Sequence, residues 1–157
     1  MIIRKIVSQV LEFLRNQPQQ VGTAKLLGVK VLLLDNDLNV AEKICAYITR
    51  SNRWFKAHMK SNNEPILSVW YKDLEPCLGS IWYCTDDFAE EVVQLFRKQT
   101  KKEGNIQLLS IKVILPKGAD TDSISNYIVE NYPEYKARFK SQGKYPVIAI
   151  GYKQKQQ

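Results

Sequence analysis

The chain has 157 residues, 45% hydrophobic and 25% charged, and its 23 Lys and Arg against 16 Asp and Glu leave a net charge of +7. That length accommodates one ordinary core, and no apolar run approaches the roughly 20 residues of a membrane span, which argues against a membrane protein or a disordered chain. The basic excess attracts polyanions, phosphate backbones and acidic proteins among them, without specifying a fold.

The N-terminal stretch MIIRKIVSQVLEFLRN interleaves charge with apolar residues and has no small-residue cleavage site, so a signal peptide is not expected and a cytosolic location is. Ile3, Ile6, Val7, Val10, Leu11 and Leu14 recur at spacings of three and four, which predicts a core-facing helix over residues 2–15, ended by Pro18 and 16-NQPQQ-20.

The next segment, 23-TAKLLGVKVLLLDNDLNVAEKICAYITR-50, supports three readings. A receiver domain needs an acidic pair, which Asp35 and Asp37 offer, but also an aspartate at the end of its third strand. The candidate third strand, 106-IQLLSIKVILPK-117, has Lys112 there. The stretch VLEFLRNQPQQVGTAKLLGV resembles the first two helices of winged-helix proteins, and that resemblance implies a recognition helix at KVLLLDNDL. Such a helix offers no outward Arg, Asn, Gln or Ser to base edges and carries two aspartates that phosphates repel. The third reading, a strand over 29-VKVLLL-34 closed by an Asp-Asn-Asp turn, is the expected one, with Val31 and Leu33 on one face, Leu32 and Leu34 on the other, and both faces covered.

Val40, Ala41, Ile44, Cys45 and Ile48 then define a helix to about Asn52, with Asn39 and Glu42 as its start signal. Runs 66-ILSVWYK-72 and 80-SIWYCT-85, separated by Pro76 and Gly79, read as an antiparallel pair. Residues 86–102 predict a helix with Phe88, Val92, Leu95 and Phe96 on one stripe, Asp87 and Glu90 in capping spacing and cations in its last turns, stopped by Gly104. A strand over 106–115 follows, then a helix capped by Asp120 or Asp122 that breaks at Pro133, with a short second piece placing Tyr135 and Phe139 together, and a last strand over 146–152. Interleaving of this kind predicts an α+β single domain over residues 1–152, with a polar tail at 153–157. Its expected form is a mixed sheet of four to five strands with three to four packed helices. No internal repeat or domain boundary is expected.

Cys45, Cys77 and Cys84 form no CxxC pair and sit among apolar residues, so buried free thiols are expected. With a single histidine, His58, a zinc site is not expected, and neither is any other metal or cofactor. Asp73, Glu75, Asp86 and Asp87 are the reserve candidates for a metal-dependent enzyme, although turn and cap roles account for them. No nucleophile elbow, P-loop or HExxH helix is present.

What remains is charge. The stretch 50-RSNRWFKAHMK-60 sets Arg50, Arg53, Lys56 and Lys60 around Trp54, the combination with which single-strand binders neutralise phosphates and stack bases. A second basic cluster, Arg97, Lys98, Lys101 and Lys102, falls at the end of the predicted third helix. The sequence thus points to a small basic, non-enzymatic binding protein with nucleic acid as its expected partner. The alternative is an adaptor for an acidic protein, using an aromatic β edge around Trp70, Tyr71, Trp82 and Tyr83.

Overall fold

In the computed structural model, which describes residues 2–79, 83–142 and 144–153, four helices interleave with eight strands. Their order is α1 (Ile2–Arg15), β1 (Gln20–Val21), β2 (Ala24–Leu33), α2 (Leu38–Ser51), β3 (Phe55–Met59), β4 (Ile66–Tyr71), α3 (Thr85–Lys98), β5 (Lys102–Glu103), β6 (Ile106–Ile114), α4 (Thr121–Asn131), β7 (Tyr135–Gln142) and β8 (Tyr145–Tyr152). Among the described residues no helix is long and apolar enough to cross a membrane.

The fold is α+β, as the interleaved pattern predicts, but the sheet is antiparallel and has eight strands rather than the four or five expected of a mixed one. Hydrogen bonding orders them β3-β4-β2-β6-β8-β7, with β1 beside β2 and β5 beside β6. The strands missing from the sequence reading are the two-residue arms β1 and β5 and the charged strands β3 and β7. Residues 135–140 are a strand, not a second helical piece, because Pro133 ends the helical region and YKARFK alternates apolar with charged residues at period two. Among the described residues β4 pairs with β2 and β3, not with the run 80–85. Residues 80–82 lie outside the described residues, and Thr85 already opens α3, where Asp87 Oδ2 accepts the Cys84 N–H at 2.9 Å.

The disputed segment is a strand. β2 runs through Ala24–Leu33, so the helix-turn-helix reading is overturned, and Val31 and Leu33 are buried as expected. The other face, carrying Lys30 and Leu32, is only half-buried, so the sheet is one-sided there. Asp35, at φ +62°, makes the turn, and Asp37 rather than Asn39 caps α2, its Oδ1 accepting the Val40 N–H at 2.8 Å. Cys45 is buried, and burial, reinforced by Glu42, pushes its thiol up to about 11. Cys77 is half-buried and Cys84 exposed, contrary to the expectation of three buried thiols, because both lie outside the helical and strand stripes that form the core.

The element order repeats itself: α1 to β4 and α3 to β8 have the same succession of helix, short strand, long strand, helix and two strands. The sequence repeats with it, contrary to the reading of a chain without repeats. Set against 92-VVQLFRKQTKKEGNIQLLSIKVIL-115, the run 10-VLEFLRNQPQQVGTAKLLGVKVLL-33 matches Arg15 with Arg97, Gln17 with Gln99, Gly22 with Gly104, Leu26 with Leu108 and Lys30 with Lys112. Likewise 55-FKAHMKS-61 matches 135-YKARFKS-141, and 65-PILSVWYK-72 matches 146-PVIAIGYK-153. Backbone bonds obey the same correspondence: Leu33 N–H to Pro65 O (3.0 Å) answers Leu115 N–H to Pro146 O (2.9 Å), and Lys72 N–H to Trp54 O (3.0 Å) answers Lys153 N–H to Glu134 O (3.0 Å).

The chain packs into two compact units, Met1–Gln17 with Gly28–Leu74 and Thr100–Leu109, and Pro18–Leu27 with Glu75–Gln99 and Ser110–Gln157. Each unit therefore contains most of one repeat and the β-hairpin of the other. A buried glutamine fastens each hairpin. In unit 1, Gln17 donates to Thr100 O (2.9 Å) and accepts from Thr100 N–H (2.7 Å). In unit 2, Gln99 donates to Pro18 O (2.9 Å) and to Leu95 O (3.1 Å), and Pro18 has no N–H to return.

The unit 1 core brings Val10 and Leu14 of α1 and Ile44 and Ile48 of α2 together with Val29, Val31, Leu67 and Val69 of the strands. Leu95 and Phe96 of α3, Ile124 and Ile128 of α4 and Ile111, Val113, Ile148 and Ile150 fill unit 2. Each such fully buried aliphatic or aromatic side chain contributes about 1.5–3 kcal/mol. Arg15 lies over Phe55 at 5.3 Å, and its counterpart Arg97 lies over Tyr135 at 5.6 Å, so both repeats seal the helix-strand junction with the same cation–π contact.

Candidate functional site

In unit 1, the end of α2 positions the first charged strand. Asn52 Oδ1 accepts the N–H groups of Trp54 (2.8 Å) and Phe55 (3.2 Å), turning the chain directly into β3. Trp54 is thereby held at the head of the strand with 64% of its surface exposed and the Arg53 guanidinium 5.4 Å from its ring. From there the strand alternates. Phe55 is buried and Ala57 and Met59 are half-buried toward the helices, where Thr49 of α2 donates to Ala57 O at 3.2 Å. Lys56 and His58 are exposed on the opposite face, and exposed Lys60 follows them.

Strand register extends that face inward. Lys56 pairs with Trp70 on β4, which pairs with Gly28 on β2, and His58 pairs with Ser68, which pairs with Lys30. A β-carbon at Gly28 would collide with the Val69 carbonyl oxygen and with Cα and Cβ of Trp70, so glycine is what admits the β4 backbone against β2 there.

Unit 2 repeats the arrangement. Lys136 pairs with Gly151 and Gly151 with Ser110; Arg138 pairs with Ala149 and Ala149 with Lys112; Lys140 pairs with Val147 and Val147 with Ile114. Lys30, Lys56 and Lys60 thus correspond to Lys112, Lys136 and Lys140, and His58 to Arg138. None of the six long strands contains an aspartate or glutamate. Like-charged neighbours along β7, Lys136, Arg138 and Lys140, stand two residues, about 6.6 Å, apart. The helix-averse face of each unit is consequently cationic with no carboxylate supplied by its own strands.

Of the residues singled out in the sequence, Lys56 and Lys60 lie on this face and Trp54 with Arg53 at its margin. Arg50 does not; it lies on α2 and lines a groove of about 350 Å³ with Ile3, Arg4, Lys43 and Tyr47. Arg97 is engaged in unit 2 packing, donating from Nε to Tyr135 Oη at 3.0 Å and lying 3.5 Å from Glu134, and these contacts raise its pKa, the Tyr135 hydrogen bond foremost. Lys98 is exposed on the last turn of α3, while Lys101 and Lys102 are past the helix end, in the turn and in β5. Burial lowers the pKa of Lys101. Sequence reasoning missed Lys30, Lys112, Lys136, Arg138 and Lys140. The signal was present in the period-two charges of YKARFK and their match to FKAHMK.

Two polar clusters lie elsewhere in unit 2. Glu91 accepts from Thr23 N–H (3.0 Å), Thr23 Oγ1 (2.7 Å) and Tyr83 Oη (2.7 Å), seated where Gly22 has no side chain. Glu90 accepts from Tyr132 Oη at 2.7 Å and Tyr127 Oη at 3.3 Å, and the bond from Tyr132 pushes that phenol up to about 12. Both tie segments together. Among the described residues no three His, Cys, Asp or Glu side chains gather as metal ligands, and Asp87 serves the start of α3.

No family model matches the chain, and neither the curated proteins nor the solved structures yield a match.

Proposed function

We propose that this protein binds nucleic acid through the cationic sheet face of each unit. The observation that carries the reading is duplication. Across the two repeats, the outward positions of the central strands keep Lys30 with Lys112, and those of the edge strands and the residues beyond keep Lys56 with Lys136 and Lys60 with Lys140. Lys56, Lys60 and Lys136 are exposed and take no part in hydrophobic packing, and cations so placed are what a row of phosphates calls for. The strands at the two ends of the sheet order, β3 and β7, carry Lys56, Lys136 and Lys140, and charged edges oppose the addition of a partner strand. β4, which carries Trp70 and Tyr71 of the adaptor alternative, lies between β3 and β2 and is not itself an edge strand, while Trp82 of that alternative lies outside the described residues.

Fluorescence anisotropy of labelled oligonucleotides across a salt series tests this. Binding should weaken with a slope of several counterions. Replacing Lys56 and Lys60 by Glu, or Lys136 and Lys140 by Glu, should lower that slope by about 1.5 to 2 per pair while the circular dichroism spectrum stays unchanged. Absence of binding at low salt, or equal affinity for polyglutamate of matched charge, overturns the proposal.

A further inference from the structure

We infer that the protein assembles with itself: the cationic groove between α1 and α2 on unit 1 of one copy receives helix α4 on unit 2 of a second copy. This contact is independent of the nucleic-acid reading. The groove, of about 350 Å³, has half-buried Ile3, Ala46 and Tyr47 as its floor and exposed Arg4, Lys43 and Arg50 as its rim. Among the described residues none of these cations has an ion pair, and the Tyr47 hydroxyl has no hydrogen bond. Glu42, next to Lys43 in the chain, does not line the groove.

The repeat reverses this surface. Along the matched helices Arg4 corresponds to Asp86, Lys43 to Ser123, Tyr47 to Tyr127 and Arg50 to Glu130. The buried positions of the same helices keep their character, Ile44 and Ile48 answering Ile124 and Ile128. Core packing therefore accounts for neither the cations of one copy nor the acids of the other. Tyr127 donates to Glu90 within its own unit, whereas unit 1 has Ser8 at that position and supplies Tyr47 with no such carboxylate.

Spacing makes α4 the occupant. Lys43 and Arg50 stand two turns, about 10.5 Å, apart on α2, with Ala46 and Tyr47 between them on the same stripe. On α4, Asp122 and Glu130 stand about 12 Å apart, with Asn126 and Val129 between them on one stripe. Asp122, Asn126 and Glu130 are exposed, and Val129 is one of the exposed large hydrophobic residues of the chain. A stripe with acids at its ends and an apolar side chain between them thus matches a groove with cations at its ends and an apolar floor, the arrangement of a helix laid in a groove. The net charge of +7 opposes the approach of two copies, but salt screens that repulsion beyond about 10 Å and leaves close pairs attractive. A groove on one copy and a helix on the other form a heterologous contact, so the assembly closes as a ring or extends.

Sedimentation velocity of nucleic-acid-free protein, under reducing conditions because Cys84 is exposed, tests this. In about 0.1 M salt the wild type should associate as its concentration rises, and about 1 M salt should weaken the association. Arg50→Glu and Glu130→Arg should each weaken it by about tenfold or more. Mixed, the two variants should form a one-to-one pair, because the mixture retains one intact groove and one intact α4, and that pairing also shows both variants to be folded. Association that is indifferent to salt or survives either variant, a mixture that stays monomeric, or a wild type monomeric at every concentration overturns the proposal.

Discussion

Unit 1 and unit 2 descend from one repeated pattern, and what separates them is where each places its polar groups. Unit 2 turns carboxylates and phenols inward upon its own segments: Glu91 clasps Thr23 and Tyr83, Glu90 holds Tyr127 and Tyr132, and Arg97 reaches Tyr135 and Glu134. At the equivalents of Glu90 and Glu91, unit 1 has Ser8 and Gln9. The turn at Gly104 has nothing near its missing side chain and borders a cavity of about 320 Å³. Its distinctive groups, Trp70, Ser68 and Trp54, lie instead on or beside the sheet face. The same scaffold thus carries a braced copy and a copy without those braces.

The hairpin glycines give the largest test of that contrast. Both Gly22 and Gly104 sit at φ +57°, where a β-carbon costs about 1–2 kcal/mol. At Gly22 the added methyl also evicts the Glu91 carboxylate from its hydrogen bonds, each worth about 1.5–3 kcal/mol. Gly22→Ala should therefore lose roughly 3–5 kcal/mol in urea unfolding and Gly104→Ala only about 1–2 kcal/mol. Equal losses would show that the Glu91 clasp contributes nothing to the difference.

The glutamine fasteners reverse the order. Gln17→Ala strands both the N–H and the carbonyl of Thr100, whereas Gln99→Ala strands carbonyls only, because Pro18 has no N–H. Buried N–H groups are the more costly to leave unpaired. Gln17→Ala should cost about 2–3 kcal/mol and Gln99→Ala about 1–2 kcal/mol by the same unfolding assay. A larger loss at Gln99 would refute this account of the hairpin exchange.

The smallest effect is in acid. The N–H and thiol of Cys84 hold Asp87 below the usual carboxylate range, and Ser123, through its hydroxyl and then its N–H, does the same for Asp120. A carboxylate whose folded pKa is depressed contributes stability above the unfolded value of 3.8, and that contribution disappears as pH falls through the folded pKa. In a pH titration by NMR, the Cys84 and Ser123 amides should shift with midpoints below 3.8 and the first turns of α3 and α4 should then fray, with α1, which has no acidic residue in its first turn, unaffected. Midpoints at or above 3.8 would remove the capping bonds from the account.

The sequence by itself determined the helices and the buried strands. The stripe through Val7, Val10, Leu11 and Leu14 and the stripe through Phe88, Val92, Leu95 and Phe96 carry a period that only a helix buries, whereas the short apolar runs at 29–34, 106–114 and 146–152 read as strands by length and composition, the first of them against a helical alternative. Half of the basic stretch was legible as well, since Lys56 and Lys60 stand out beside Trp54. The repeat was equally present in the letters, in the paired Gln17 and Gln99 and in FKAHMKS against YKARFKS, but it emerges only when distant segments are set side by side. Tertiary structure alone decided the rest. Two-residue arms such as β1 and β5 have too few residues for any period, and charged edge strands look like loops until a neighbour supplies their hydrogen bonds. Lys30, Lys112 and Arg138 share a face with the strand lysines only through strand register, a non-local quantity, while Arg97 bonds to Tyr135 and Arg50 lies on α2 beside a groove.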